Sequence, residues 1–180
     1  MNKLTFIKNL LPIFLVAGFF YSCKEEKKID FEPYVGPVVV SDTIEGIFTD
    51  SAHVQFFLKT PQQVRFQSED EEFPNGLYLE FYNKEHQKET TLKARYGYYT
   101  KKENKWFVKD SVVLINLLEN RKLETEELYW KPGEQRVYND KFVRITTDDQ
   151  LLTGTGLEAK DDFSDYEIKN PEMIKYIGDE

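Results

Sequence analysis

The 180-residue chain reads as an all-β protein. Alanine, the strongest helix former, occurs four times, whereas Phe, Tyr and Trp together number 27 and Val, Ile and Thr are plentiful, which suits pleated, half-buried surfaces. Turn residues recur at short intervals: Pro61; Pro74-Asn75-Gly76; Asn83-Lys84-Glu85; Lys102-Glu103-Asn104; Glu119-Asn120; Pro132-Gly133; Asp148-Asp149; Asp161-Asp162. Between these turns apolar residues alternate with period two, and beyond the N-terminal segment no stretch of comparable length keeps a helical period. Such spacing suits a meander or a jelly roll.

The N-terminus carries a different signal. Lys3 and Lys8 precede an apolar run, Leu10 to Tyr21, that is too short for the ~20 residues of a membrane-spanning helix and has the length of a secretory signal. It closes on Ser22-Cys23, and Cys23 is the only cysteine of the chain. A small residue before a lone cysteine resembles the lipobox of bacterial lipoproteins, so the expectation is cleavage after residue 22 and acylation of Cys23, with diacylglycerol and palmitate as lipid. The expected organisation is a signal peptide over 1–22, a lipidated, charged tether over 23–36, a β-domain over 37–170 and a short tail over 171–180. Removing Met1 to Ser22 takes two lysines and no acids, which moves the formal charge from −8 to −10. A nucleic acid partner would require a basic stripe, and none is present.

Strand by strand, alternation assigns one apolar face. It takes Phe56 and Leu58 with Val54, then Phe66 with Val64, then Leu77, Leu79 and Phe81 against Tyr78, Glu80 and Tyr82. It continues with Leu92, Ala94 and Tyr96, then Val113 and Ile115, Leu123, and Val143 with Ile145. Trp106 and Val108 have the opposite parity to Val113 and Ile115, which places a bulge between Trp106 and Asp110. A repeat of about thirty residues underlies the pattern: Asp110-Ser-Val-Val-Leu-Ile115 is matched by Asp140-Lys-Phe-Val-Arg-Ile145, and Leu92-x-Ala94 with Tyr98-Tyr99 by Leu123-x-Thr125 with Tyr129-Trp130. Each unit is two strands and a turn that buries its apolar face by stacking on its neighbours. Periodicity alone allows two outcomes, a closed core or an apolar groove.

Several segments together resemble a known family. Phe73-Pro-Asn-Gly-Leu-Tyr-Leu-Glu-Phe81, Asp110-Ser-Val-Val, Lys122-Leu-Glu-Thr-Glu-Glu-Leu-Tyr-Trp130, Asp140-Lys-Phe-Val-Arg-Ile-Thr-Thr147 and Gly154-x-Gly156 followed by Phe163-Ser-Asp-Tyr166-x-Ile168 are similar to the LptC family of lipopolysaccharide-export proteins. The resemblance implies an open, elongated β-jelly roll whose two sheets form a V and receive lipopolysaccharide acyl chains. It implies a position on the periplasmic side of the inner membrane, receipt of lipid from an ATP-driven ABC transporter through its periplasmic β-domain, and delivery to a soluble bridge protein of similar fold. Strand addition at an N-terminal edge (Val38 to Thr49) and a C-terminal edge (Leu151 to Ile168) would join the grooves. The expected groove residues are Phe56, Leu58, Phe66, Leu77, Leu79, Phe81, Leu92, Ala94, Tyr96, Val113, Ile115, Leu123, Val143 and Ile145. Relatives often keep a transmembrane helix where this chain has Cys23.

No catalytic constellation is expected, and no cofactor. His53 and His86 stand alone, Glu124 and Glu126 read as a solvated row, and Asp161, Asp162 and Asp165 miss the calcium-loop spacing. Gly154-Thr-Gly156 lacks the features of a phosphate loop and reads as a strand edge or bulge. The alternative is a surface-exposed lipoprotein with a glycan- or protein-binding β-sandwich, in which Lys24-Glu25-Glu26 follows the lipid and Tyr98, Tyr99 and Tyr129 stack on sugars.

Overall fold

A computed structural model describes residues 34–50 and 53–176, of which Val35 onward forms one compact unit. The expected signal segment, Cys23 and most of the expected tether lie outside the described residues. The described residues form eleven strands: β1 Pro37–Asp50, β2 His53–Phe66, β3 Glu71–Phe73, β4 Leu77–Tyr82, β5 Lys88–Ala94, β6 Tyr96–Thr100, β7 Lys105–Asn116, β8 Arg121–Lys131, β9 Arg136–Thr146, β10 Gln150–Lys160 and β11 Tyr166–Tyr176. All belong to one antiparallel sheet. β3 and β4 continue in one direction along β2, and β5 and β6 do the same along β7, so the meander is a run of long hairpins. That is the structural content of the repeat of about thirty residues, two strands and two turns.

Irregularities fall at the middle of strand after strand and form a crease. Thr43 of β1 has φ 55° opposite the Pro61 region of β2. Pro74 to Gly76 separates β3 from β4, and Arg95 separates β5 from β6. In β7 Asp110 and Ser111 both take positive φ, 65° and 58°, between the pairs Lys109–Glu127 and Val112–Thr125. β8, β10 and β11 shift register at the same level. Gly76 (φ 89°) and Gly156 (φ 82°) occupy the crease, and a Cβ on Gly76 would stand 2.7 Å from the Ala94 carbonyl oxygen, so only glycine fits there. The glycines Gly154 and Gly156 are therefore bulge residues, as expected.

The crease folds the sheet into two leaves with apolar faces inward. One row of the first leaf runs Leu79, Leu92, Leu114, Leu123, Ile145, Leu152 across successive strands. The second leaf contributes Phe73, Trp106, Val108, Leu128, Trp130, Val137, Leu157 and Ala159 to the same core. Phe56 of the first leaf packs edge-on against Trp106 and Trp130 of the second, at centroid distances of 5.9 and 5.8 Å. The architecture is the V-shaped all-β jelly roll. Buried Asn139 holds the crease: its amide donates to the Thr125 hydroxyl (2.8 Å) and the Glu127 carbonyl (2.9 Å), and its oxygen accepts from the Leu157 N–H (3.1 Å). The backbone groups released by the bulges in β8 and β10 are thereby satisfied.

Two expectations about local structure need correction. Pro61 does not turn the chain, because β2 runs through it to Phe66 with its hydrogen bonds to β1 intact on either side. Residues 171–176 belong to the β-domain and not to a tail beyond it, because β11 continues to Tyr176 in register with Gln150.

Candidate functional site

Near the crease the two leaves close against each other along the sheet, with Leu58, Phe73, Leu79 and Leu92 as buried as Leu123; towards their free ends they stay closed over one half and part over the other. Over the C-terminal half, Leu123, Leu128, Val137, Val143, Ile145 and Leu157 are fully buried. The loop between β10 and β11, residues 161–165, closes the free ends of the leaves here. Its Asp162 carbonyl accepts hydrogen bonds from Thr90 of β5 (3.1 Å) and Asn116 of β7 (2.9 Å), both on the first leaf. Arg121 of β8 donates to the Ser164 carbonyl (2.7 Å) and lies over the Tyr166 ring. Phe163, with φ 57° and no exposure, sits in the core beneath.

Over the N-terminal half the free ends of the leaves stand apart above these contacts, around a half-open groove of about 1220 Å³. This exceeds the ~300–1,000 Å³ of sites for drug-sized ligands. Its floor is aromatic: Phe48, Phe56, Phe81, Tyr99, Trp106 and Trp130. Phe48 stacks on Phe56 at 4.5 Å, Phe81 meets Trp130 edge-on at 5.0 Å, and Trp106 and Trp130, cross-strand neighbours, lie 5.9 Å apart. The rim is polar, with Asn83, Lys84, Glu85 and Glu89 on the first leaf and Arg65, Glu69, Glu71, Lys101, Asn104, Asp161 and Asp162 on the second. Arg65 grips one Glu71 oxygen through both Nε (3.1 Å) and Nη2 (2.9 Å), and Gln63 takes the other oxygen.

Electrostatics at the rim follow from burial among acids. Burial foremost, then Asp162, Glu85, Glu119 and Asp161, push the Glu89 carboxyl above the usual carboxylate range. Burial also raises Asp161, opposed by the nearby Trp130 indole N–H. That indole nitrogen nonetheless lacks a partner at hydrogen-bond geometry, with Trp130 only 8 % exposed. An anionic headgroup would meet more acids than bases at this rim, while hydrocarbon finds an unbroken apolar floor.

Ten of the fourteen expected groove residues lie on the inner face: Phe56, Leu58, Leu77, Leu79, Phe81, Leu92, Ala94, Leu123, Val143 and Ile145. Only Phe56 and Phe81 of these line the open groove, and the other eight are buried core. Four residues lie on the outer face. Phe66 packs on Tyr98 of the outer surface, because the kink at Pro61 and Thr43 inverts the facing of β2: Gln63 and Arg65 reach Glu71 at the inner rim instead. Tyr96 is outside because the break at Arg95 turns the strand over between inward Ala94 and inward Gly97. Its hydroxyl donates to Glu72, and its pKa is raised to about 12 by burial and by that bond. Val113 and Ile115 are outside because Trp106, Val108, Val112 and Leu114 all face inward: the two left-handed residues Asp110 and Ser111 keep the parity of β7, and the parity changes in β8 instead.

Sequence reading missed Phe48, Tyr99, Trp106 and Trp130. The signal was available, since both tryptophans of the chain fall on the floor, but assigning them needed the position of the bulge. Of the tyrosines considered for sugar stacking, Tyr99 turns inward onto Trp106 (4.9 Å). Tyr129 is sandwiched between Phe107 (4.9 Å) and Tyr138 (5.3 Å) on the outer face. Glu124 is ion-paired with Lys122, and Asp162 spends its carboxylate on the Ser164 N–H.

The family model for LptC-related lipopolysaccharide-assembly proteins matches residues 23–171. The chain belongs to this family. Membership makes it a component of lipopolysaccharide transport acting on the periplasmic side of the cell envelope. A comparison with curated proteins gave no match. Among the described residues no helix is long and apolar enough to cross a membrane.

Proposed function

We infer that this family member receives lipopolysaccharide from an inner-membrane ABC transporter, holds its acyl chains in the groove over Phe56, Phe81, Trp106 and Trp130, and passes them to a soluble bridge protein. The half-open, aromatic-floored groove between the leaves carries the reading. Each acyl CH₂ left in water costs about 0.8 kcal/mol, and the floor removes most of that penalty. Transfer from one such groove to a similar one is close to isoenergetic, so direction comes from the transporter's ATP hydrolysis. Cys23, acylated, tethers the chain to the inner membrane, and Cys23→Ala abolishes incorporation of labelled palmitate.

The sheet supplies docking edges at both ends. β1 pairs only with β2 and β11 only with β10 among the described residues, which leaves one open edge on each. β1 exposes Val38, Val39, Val40 and Ile47, and β11 exposes Met173 and Ile174. The C-terminal edge is therefore β11, Tyr166–Tyr176; Leu157 is a buried residue of β10 and unsuited to contact a partner. Photo-reactive residues at Ile47 (65 % exposed) and Ile174 (54 % exposed) test the arrangement. The expected adducts are with the transporter's periplasmic β-domain at the first position and the bridge protein at the second. Adducts only with unrelated proteins overturn it.

A further inference from the structure

The groove does not run through the molecule. It is open over the N-terminal half and ends where the 161–165 loop crosses from the second leaf to the first. Three features mark this loop as a built closure. Its bonds join residues far apart in the chain, Thr90 and Asn116 to Asp162 and Arg121 to Ser164. Phe163 holds a left-handed backbone conformation that a bulky side chain rarely adopts, with its ring fully buried and stacked on Tyr166 at 5.3 Å. Beyond the loop the inward residues Leu123, Val143, Ile145 and Leu157 are sealed from solvent, although they are as apolar as the groove floor.

We propose that Phe163 sets how far an acyl chain penetrates between the leaves, and that release of the 161–165 strap from Thr90, Asn116 and Arg121 admits lipid to the C-terminal half. This rests on the lipid-carrying function proposed above. It makes loading and onward passage separate steps: the mouth fills with the strap closed, and the chain advances along the inner face only when the strap has left its seat. The occupant is a flexible hydrocarbon chain, because the sealed interior offers apolar surface and almost no free polar group.

The test uses the full chain and a lipid A probe carrying a diazirine at the end of one acyl chain, with adducts mapped by peptide mass spectrometry. In the wild type, labelling is expected around Phe56, Phe81, Trp106 and Trp130 and absent from Val143, Ile145 and Leu157. Phe163→Gly removes the ring at a position whose backbone favours glycine, and labelling then extends to the C-terminal positions. Thr90→Val combined with Arg121→Gln removes two of the strap's three side-chain anchors, leaving only the Asn116 bond, while Phe163 stays in place. This pair gives the same extension and decides the matter where Phe163→Gly loses mouth labelling through misfolding. Deep labelling in the wild type, or a pattern in Thr90→Val/Arg121→Gln confined to the mouth, overturns the strap and leaves the groove reading intact. Absence of labelling at the mouth of the wild type overturns the groove reading itself, and the strap with it.

Discussion

The N-terminal and C-terminal halves of this V are made of the same material and end in different states. Both present an apolar row from each leaf, yet Leu123, Val143, Ile145 and Leu157 are sealed into a core while Phe48, Phe56 and Phe81 border an open groove. The difference lies in what spans the free ends of the leaves. Over one half a loop carries Phe163 across and is bonded to the facing strands. Over the other the loops end in Asn83, Lys84, Glu85, Lys101 and Asn104, which line the polar rim. The inner face supplies affinity for hydrocarbon throughout, and the loops decide where that affinity is spent inside the protein and where it is offered to a ligand.

Substitutions sharpen the contrast. Leu123→Ala in the sealed half creates a cavity in close-packed surroundings and is expected to cost about 3 kcal/mol in chemical denaturation, whereas Phe81→Ala at the groove costs about 1–2 kcal/mol, its ring being partly solvated already. Equal costs would show that the groove is packed in solution. Asn139→Ala leaves the Leu157 N–H and the Glu127 carbonyl unmet at the crease and should cost about 2 kcal/mol, read as a lowered melting temperature. An unchanged melting temperature would mean that the bulges hold themselves.

A smaller, pH-dependent effect is expected on the outer face of the first leaf. The Glu80 carboxylate is held below its usual range, by the Lys88 ammonium foremost, against burial, and then by the Tyr82 and Tyr78 hydroxyls. A lowered folded pKa stabilises above the unfolded value of about 4.3 and is lost as pH falls through the folded value. Glu80→Gln should therefore cost about 1 kcal/mol at neutral pH, with the difference from wild type vanishing in acid. Glu89 at the groove rim has the opposite sign. Its raised folded pKa stabilises below the ordinary carboxylate range and is lost as pH rises through the raised value. Glu89→Gln should gain about 0.5 kcal/mol at neutral pH, a gain that disappears on acidification. A rim carboxylate bound to a cation would reverse that sign.

The fold was legible because alternation survives on either side of the crease in most long strands, and Leu79, Leu92, Leu123 and Ile145 needed nothing more to be placed. Phe66, Tyr96, Val113 and Ile115 were misplaced for one shared reason. The crease inverts the facing of individual strands, and its backbone devices, Thr43, Arg95, Asp110 and Ser111 among them, carry no distinctive sequence signature, three of them being non-glycine residues at positive φ. The choice between groove and core was illegible as well, since both require the same inward apolar row. What separates them is a strap whose anchor Thr90 lies 72 residues from Asp162, in a segment that reads locally as an acidic turn.

The central claim is that acyl chains enter between the leaves at the aromatic floor. The most direct measurement places a photo-reactive amino acid in living cells at Phe81, inside the groove, and in parallel at Ile115, on the outer face of the same leaf, and probes each for attached lipopolysaccharide. The account predicts an adduct at position 81 and none at 115. Adducts of equal yield at both positions, or at 115 alone, would contradict it.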